Sequence, residues 1–269
     1  MMNNGHKKII QTYTHIKKSD NNLYPPGFGD FISGAMYLYT EAIKRKFSLY
    51  IDYNNHIISN FLDNDNFLSS DPFDFYDCAG KGIPLEYLLE NYNMVAVLTN
   101  IYPWEGIYFD DKLFDFIKNS FKPKKDLKDS VDQIKNDLNL DDYEVLHIRM
   151  GDIFLLHHTD SVSDEVIKSI SEQISLDTKR DKKIFIASDC KYVKYKLKDK
   201  YENLSFIDNE PIHIGSKENF SLENTKNTLI DFFIMSGSKY IYSFSENGNS
   251  GWSLRCSQIY KIPMMKYRF

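Results

Sequence analysis

Six consecutive residues, His147-Ile-Arg-Met-Gly-Asp152, carry most of the chemistry the chain displays. They follow the apolar run Tyr143-Glu-Val-Leu146, which reads as a buried strand, and they reach a turn at Gly151. An arginine, a histidine and an aspartate therefore stand where a strand emerges. Ligands of open α/β sheets bind outside the carboxyl ends of the strands. Arginine presents a rigid fork of donors that suits phosphate. A histidine two residues earlier projects to the same side of an extended strand. Two readings fit: an anion site, or an arginine paired with a local aspartate in a buried strand.

Two more strand ends are polar. One is Ser188-Asp189, after the apolar stretch Lys183-Ile-Phe-Ile-Ala187; the other is Ser243-Phe-Ser245, with the loop that follows to Ser250. In a parallel sheet these ends share one edge with Arg149. Together they offer a cation for a diphosphate, a carboxylate for the N–H groups of a base, and hydroxyls with exposed amides for phosphate oxygens. The loop Asn247-Gly-Asn-Ser-Gly251 opens a helix, whose N-terminus favours an anion. The sequence has neither the G-x-G-x-x-G fingerprint of dinucleotide folds nor a Walker lysine loop, which disfavours NAD binding and P-loop phosphoryl transfer.

The elements that must position these residues alternate between strands and helices. Lys8 to Ile16 has strand character, and a breaker-rich loop runs from Asn21 to Asp30. Phe31 to Lys46 reads as a helix with Ile32, Ala35, Met36, Tyr39 and Ile43 on one face and Asp30 as N-cap. Strands are predicted over Ser48–Asp52 and Met94–Leu98, and helices over Pro84–Asn91 and Phe109–Phe121. A helix near Leu127–Leu138 crosses between halves, so the expected domains are 1–138 and 139–269. The second half then reads strand Val145–Ile148, helix Ser163–Ile174, strand Lys183–Ala187, helix Tyr192–Tyr201 and short strand Leu204–Ile207. Helix Leu222–Gly237, strand Tyr240–Phe244 and helix Trp252–Tyr260 complete it. This alternation predicts an α/β fold with parallel sheets.

Bulk properties narrow the function classes. A length of 269 residues suits two α/β domains or one large one. The net charge of −5 and the short, acid-broken basic clusters argue against a general nucleic-acid binder. The 19 Tyr and 19 Phe support a substantial core and aromatic walls for a sugar or a base. Three distant cysteines without a CxxC pair suggest neither a disulfide framework nor a zinc site, and fit a reducing compartment. No signal peptide or membrane-length apolar run is visible, so a cytoplasmic protein is expected.

The residues 147–152 resemble the H-x-R-x-G-D motif of the fucosyltransferase superfamily, which includes α1,2- and α1,6-fucosyltransferases and protein O-fucosyltransferases. The likeness continues in order. Ile184-Phe-Ile-Ala-Ser-Asp189 resembles the family's second motif, and Thr228 to Ser245 resembles the third, an aspartate-bearing helix leading to a strand and a serine-rich loop. In the first half, Gly27-Phe-Gly-Asp30 resembles the glycine loop that leads into the family's first helix. The resemblance implies a GT-B fold, two Rossmann-like domains facing across a cleft. It implies inverting transfer from GDP-fucose to a saccharide hydroxyl, with no cofactor and no obligatory metal. Arg149 then matches the arginine on the donor's β-phosphate, His147 supports it, and Asp189 matches the guanine-reading position. Ser243, Phe244 and Ser245 match the phosphate segment, with Asn249 and Ser250 in the following loop. Gly27, Phe28 and Gly29 fall in the donor-side glycine loop, and Asp231 matches a helix carboxylate. Two departures stand out: Met150 replaces the second arginine of many relatives, and Glu246 adds a negative charge beside the phosphate segment.

An inverting transfer needs a base for the acceptor hydroxyl. Asp30 is the candidate, with helix capping as its alternative use. His157, His158 and Trp104 are candidates for the acceptor side. Adjacent histidines diverge on an extended loop, so a metal site there is not expected. The rival readings are a transferase for another nucleotide sugar, a non-catalytic glycan- or nucleotide-binding module of the same fold, and a magnesium-dependent phosphohydrolase using Asp152 or Asp189.

Overall fold

The structure, a computed structural model, describes residues 6–13, 27–71, 75–78, 83–98, 107–151, 164–177, 182–209, 212, 214 and 221–269. The chain divides into two compact units at Lys124/Lys125, with most of the first half in unit one and most of the second half in unit two. The expected boundary at 138/139 thus falls after the helix Lys125–Asp137, which groups with unit two.

Unit one holds a parallel sheet of order β2-β1-β5-β4, formed by β1 (Lys8–Thr12), β2 (Ser48–Asp52), β4 (Phe75–Asp77) and β5 (Met94–Leu98). β1 and β5 are central and largely buried; β5 is apolar throughout, as a strand covered on both faces tends to be, whereas β1 buries the polar side chains of Gln11 and Thr12 beside Ile9 and Ile10. A separate two-residue antiparallel pair is formed by β3 (Leu62–Asp63) and β6 (Lys122–Pro123). The helices are α1 (Phe28–Arg45), α2 (Leu85–Asn91) and α3 (Asp111–Ser120). α1 buries Ile32, Ala35 and Met36 at helical spacing, whereas Ile43 stands 52% exposed near its end, outside the apolar face expected for it.

α1 begins at Phe28, three residues before the expected start, with Gly27 as its N-cap and no side-chain cap bond. Asp30 is therefore a first-turn residue and not the cap. The cause is packing: Phe28 is buried and meets Phe121 edge-on at 5.5 Å, which draws the glycine-flanked segment into the helix.

Unit two holds a fully parallel sheet of order β11-β10-β7-β8-β9. Its strands are β7 (Tyr143–Arg149), β8 (Lys183–Ser188), β9 (Leu204–Ser205), β10 (Ile241–Ser245) and β11 (Met264–Arg268). Its helices are α4 (Lys125–Asp137), α5 (Asp164–Asp177), α6 (Lys191–Lys198), α7 (Leu222–Ser236) and α8 (Gly251–Tyr260). On one sheet face, Leu146, Ile148, Ile186 and Phe244 pack with Ile170 of α5 and Val193 of α6. Strand alternation turns Tyr143, His147 and Arg149 to the other face. There the Tyr143 hydroxyl donates to the Ile234 carbonyl of α7 at 2.5 Å, and Ser243 bonds Ser253 of α8 at 2.7 Å.

The chain leaves β7 toward β8 and β9 on one side, then returns to build β10 and β11 on the other. The direction of winding reverses between β7 and β10, and such a switch point opens a crevice at the carboxyl ends of the two strands. No helix among the described residues is long and apolar enough to cross a membrane.

Candidate functional site

The switch point of unit two is where the predicted chemistry collects. The register pairs Ser245 with Arg149 and Ser243 with His147 across β10 and β7. In parallel strands such partners share a face, so the arginine, the histidine and both serines line one side of the crevice. Ser188 is the partner of Ile148 across β8, which sets Asp189 beside Arg149.

The Asp189 carboxylate organises the turn after β7. Its Oδ2 accepts from Nη1 of Arg149 and, at 3.2 Å, from the Gly151 amide; its Oδ1 accepts from the Met150 amide at 2.7 Å. Gly151 sits at φ +102°, a conformation that favours glycine and that bends the backbone around the carboxylate. The two readings of the motif thus coexist. Arg149 has an aspartate partner, and it stands at the strand end where an anion would bind.

His147 is buried, with its Nδ1 lacking any hydrogen-bond partner. Burial, reinforced by the Arg149 cation, pushes its pKa down from 6.5 to about 3. The imidazole is therefore neutral across the physiological range. It can donate or accept one hydrogen bond without adding charge next to the arginine. The Ser245 hydroxyl is likewise buried without a partner. These two atoms lie on adjacent strands of the switch point, where a polar ligand could pair them, although buried atoms without a partner occur elsewhere among the described residues as well.

The loop from β10 to α8 supplies amides. Gly248 takes φ +67° and donates its N–H to the Ser245 carbonyl at 3.0 Å. Ser250 is the N-cap of α8 but makes no side-chain cap bond, so no capping hydroxyl takes up the first-turn amides. Two cations from β11 hold the loop: Arg268 Nε donates to the Glu246 carbonyl at 2.9 Å, and Lys266 Nζ donates to Asn249 Oδ1 at 2.9 Å. The Glu246 side chain is exposed. Lys266 and Arg268 thus stand on the edge strand next to Ser243 and Ser245. They escaped the sequence reading because their strand was not recognised.

A second buried polar group lies beyond β9. Lys194 Nζ donates to Asn209 Oδ1 at 2.7 Å and to the Ile207 carbonyl at 3.3 Å. Asp231 on α7 neighbours both. Burial raises its pKa to about 6, opposed by the Lys194 cation and the neighbouring Asn209 amide. Burial also lowers the pKa of Lys194. Nothing in the charged helix sequence Lys191-Tyr-Val-Lys-Tyr-Lys signals that Lys194 alone turns inward.

Phe244 points into the core and stacks on Tyr267 at 4.5 Å, so only its backbone belongs to the strand end. Phe28 is a core residue of unit one, and Gly29 is buried with its carbonyl accepting from Ser33 at 2.7 Å. Gly27 and Asp30 stand at the start of α1, with Asp30 exposed. Trp104, His157 and His158 lie outside the described residues. Among the described residues, no group of three His, Cys, Asp or Glu side chains is arranged to hold a metal.

No protein-family model matches the chain, and no curated protein matches it. Among solved structures it is similar to a FUT1 variant from Arabidopsis thaliana in complex with GDP, at TM-score 0.65 and 11% identity over 96% of this chain and 70% of that one. It is also similar to the α-1,6-fucosyltransferase NodZ soaked with GDP-fucose, at TM-score 0.61 and 14% identity over 97% and 95%. POFUT1 in complex with GDP aligns at TM-score 0.53 and 10% identity over 97% and 99%. At these identities the likeness establishes the fold, the GT-B architecture of two Rossmann-like units.

Proposed function

We propose that the protein is an inverting, metal-independent glycosyltransferase that moves fucose from GDP-fucose to a hydroxyl of a saccharide acceptor. The observation that carries this reading is the pairing of Arg149 with Ser245 at the switch point of unit two, beside the start of α8. The ligands named for the similar structures, GDP and GDP-fucose, support the choice of donor.

The chemistry follows from charge. As the acceptor oxygen bonds to the anomeric carbon, the bond from that carbon to the β-phosphate oxygen breaks, and negative charge grows on GDP. Donors already aimed at that phosphate stabilise the transition state more than the ground state. Arg149, the Ser245 hydroxyl and the first amides of α8 are such donors. Neutral His147 adds a hydrogen bond without competing for the anion. The acceptor hydroxyl must lose its proton to a base, and Asp30 is the residue we assign to that step. With the leaving charge met by an arginine and by amides, no metal is required by this scheme.

The test is thermal stabilisation by GDP, UDP, GDP-fucose and GDP-mannose, each with and without EDTA. A ligand at about 100 times its dissociation constant stabilises a fold by about 3 kcal/mol, which is readily measured. Selective stabilisation by GDP and GDP-fucose, unaffected by EDTA, is expected. A preference for UDP would move the assignment to another nucleotide sugar. Binding without transfer across an acceptor panel would make the protein a non-catalytic module of this fold.

A further inference from the structure

Resting on the GDP-sugar reading, we infer that Asp189 is a positioning residue for Arg149 and does not read the base of the donor. The lone pairs of the Asp189 carboxylate are largely taken. A carboxylate offers about four acceptor sites, two on each oxygen. Oδ2 already accepts from Arg149 Nη1 and from the Gly151 amide, and Oδ1 accepts from the Met150 amide. To recognise guanine a carboxylate must accept two N–H groups side by side, one on each oxygen. Oδ2 has no site left for the second.

The same three bonds explain what Asp189 does instead. Arginine binds phosphate well only when the plane of its guanidinium is fixed. Arg149 closes β7, and its side chain is 25% exposed against 10% for that of Asp189. A partly exposed arginine has several rotamers open to it, and a contact with a fixed group narrows them. The bond from Nη1 to a carboxylate that is itself held by two backbone amides fixes the guanidinium to the turn. Asp189 comes from the adjacent strand end, so the anchor ties β8 to β7 where the ligand binds.

The experiment compares nucleotide affinities of the full-length wild type and Asp189→Asn by calorimetry, with GDP, GMP and UDP as probes. The ratio of GDP to GMP affinity reads the β-phosphate contact; the ratio of GDP to UDP affinity reads the base. The asparagine can still accept from the Met150 amide but loses the ion pair. The expected result is a fall of about tenfold in the GDP:GMP ratio, the size of one well-placed charged hydrogen bond. The GDP:UDP ratio should stay within about twofold, because the base contact is untouched. In an Arg149→Ala background the same substitution should leave the GDP:GMP ratio unchanged, since an anchor has no effect without the residue it anchors. Asp189→Glu, which keeps the carboxylate one methylene further out, is read by the same two ratios and covers the case in which the amide does not fold. A collapse of the GDP:UDP ratio with the GDP:GMP ratio intact would overturn the inference, as would two unchanged ratios. A wild type that binds none of the three nucleotides would remove the GDP-sugar reading itself.

Discussion

Arg149 and Asp30 carry the two halves of the proposed chemistry, and they differ in what their loss should do. Arg149 meets charge that develops on the leaving group, so its removal acts on the transition state. Arg149→Ala should lower kcat by about 100-fold or more, the cost of removing one aimed donor. It also leaves Asp189 without its cationic partner, so a smaller loss of GDP affinity should accompany it. Asp30 touches no donor phosphate in this scheme. Asp30→Asn should cut kcat with GDP affinity unchanged, by the roughly 100-fold or greater factor typical of a general base. Steady-state kinetics beside GDP titration separates the two. Equal effects of both substitutions on GDP binding would contradict the division of labour. Full turnover by Asp30→Asn would leave that carboxylate as an ordinary first-turn helix residue.

At the scale of elements, the turn after β7 and the loop before α8 are held in conformations that only glycine adopts cheaply. At Gly151 an added Cβ would meet nothing within 4 Å, so the backbone alone sets the penalty at φ +102°. At Gly248 the nearest atom would be Cβ of Arg268 at 3.9 Å, ordinary contact, with φ +67°. Replacing either by Ala should therefore cost about 1–3 kcal/mol of stability without any steric clash. GDP affinity should fall further for Gly151→Ala, since that turn presents Arg149. Urea unfolding with and without GDP measures both effects, and unchanged stability at either position would refute the strain argument. These elements also show what a sequence can reveal. β7, β8 and β10 were legible because a strand covered on both faces must be a short apolar run. β11 was not, because Met264-Met-Lys-Tyr-Arg268 is a largely exposed edge with no apolar period. The start of α1 was displaced because Phe28 packs from within a glycine-flanked segment that reads as a loop. The motif residues were legible one strand at a time. The bond between Arg149 and Asp189 was not, since it depends on the register between β7 and β8.

For the whole molecule, the two buried groups of unit two impose opposite pH dependences on stability. His147 has its pKa depressed from 6.5 to about 3 in the fold, with Arg149 the charge beside it. A depressed value means that the unfolded chain binds the proton first. The stability this group contributes is present above pH 6.5 and is lost as the pH falls toward 3. Asp231 has its pKa raised from 3.8 to about 6 by burial, despite the Lys194 cation and the Asn209 amide that face it. Its contribution is present below pH 3.8 and is lost as the pH rises through about 6. Between these limits acidification weakens the fold through one group and strengthens it through the other, so the wild-type curve is flatter than either group alone would make it. Removing one group exposes the other. His147→Gln should gain stability relative to wild type as the pH drops below 6.5, with a slope of at most about 1.4 kcal/mol per pH unit. Asp231→Asn should gain relative to wild type as the pH rises from 4 to 6.5, because the wild type alone must then bury a carboxylate charge. Lys194 offsets part of that gain, since the asparagine leaves its ammonium without a counter-charge. Denaturant unfolding of the three proteins at half-unit pH steps gives the comparison. Curves for the variants that run parallel to wild type across this window would mean that neither group changes its proton affinity on folding, and that the histidine assigned to the phosphate site titrates near its ordinary value of 6.5.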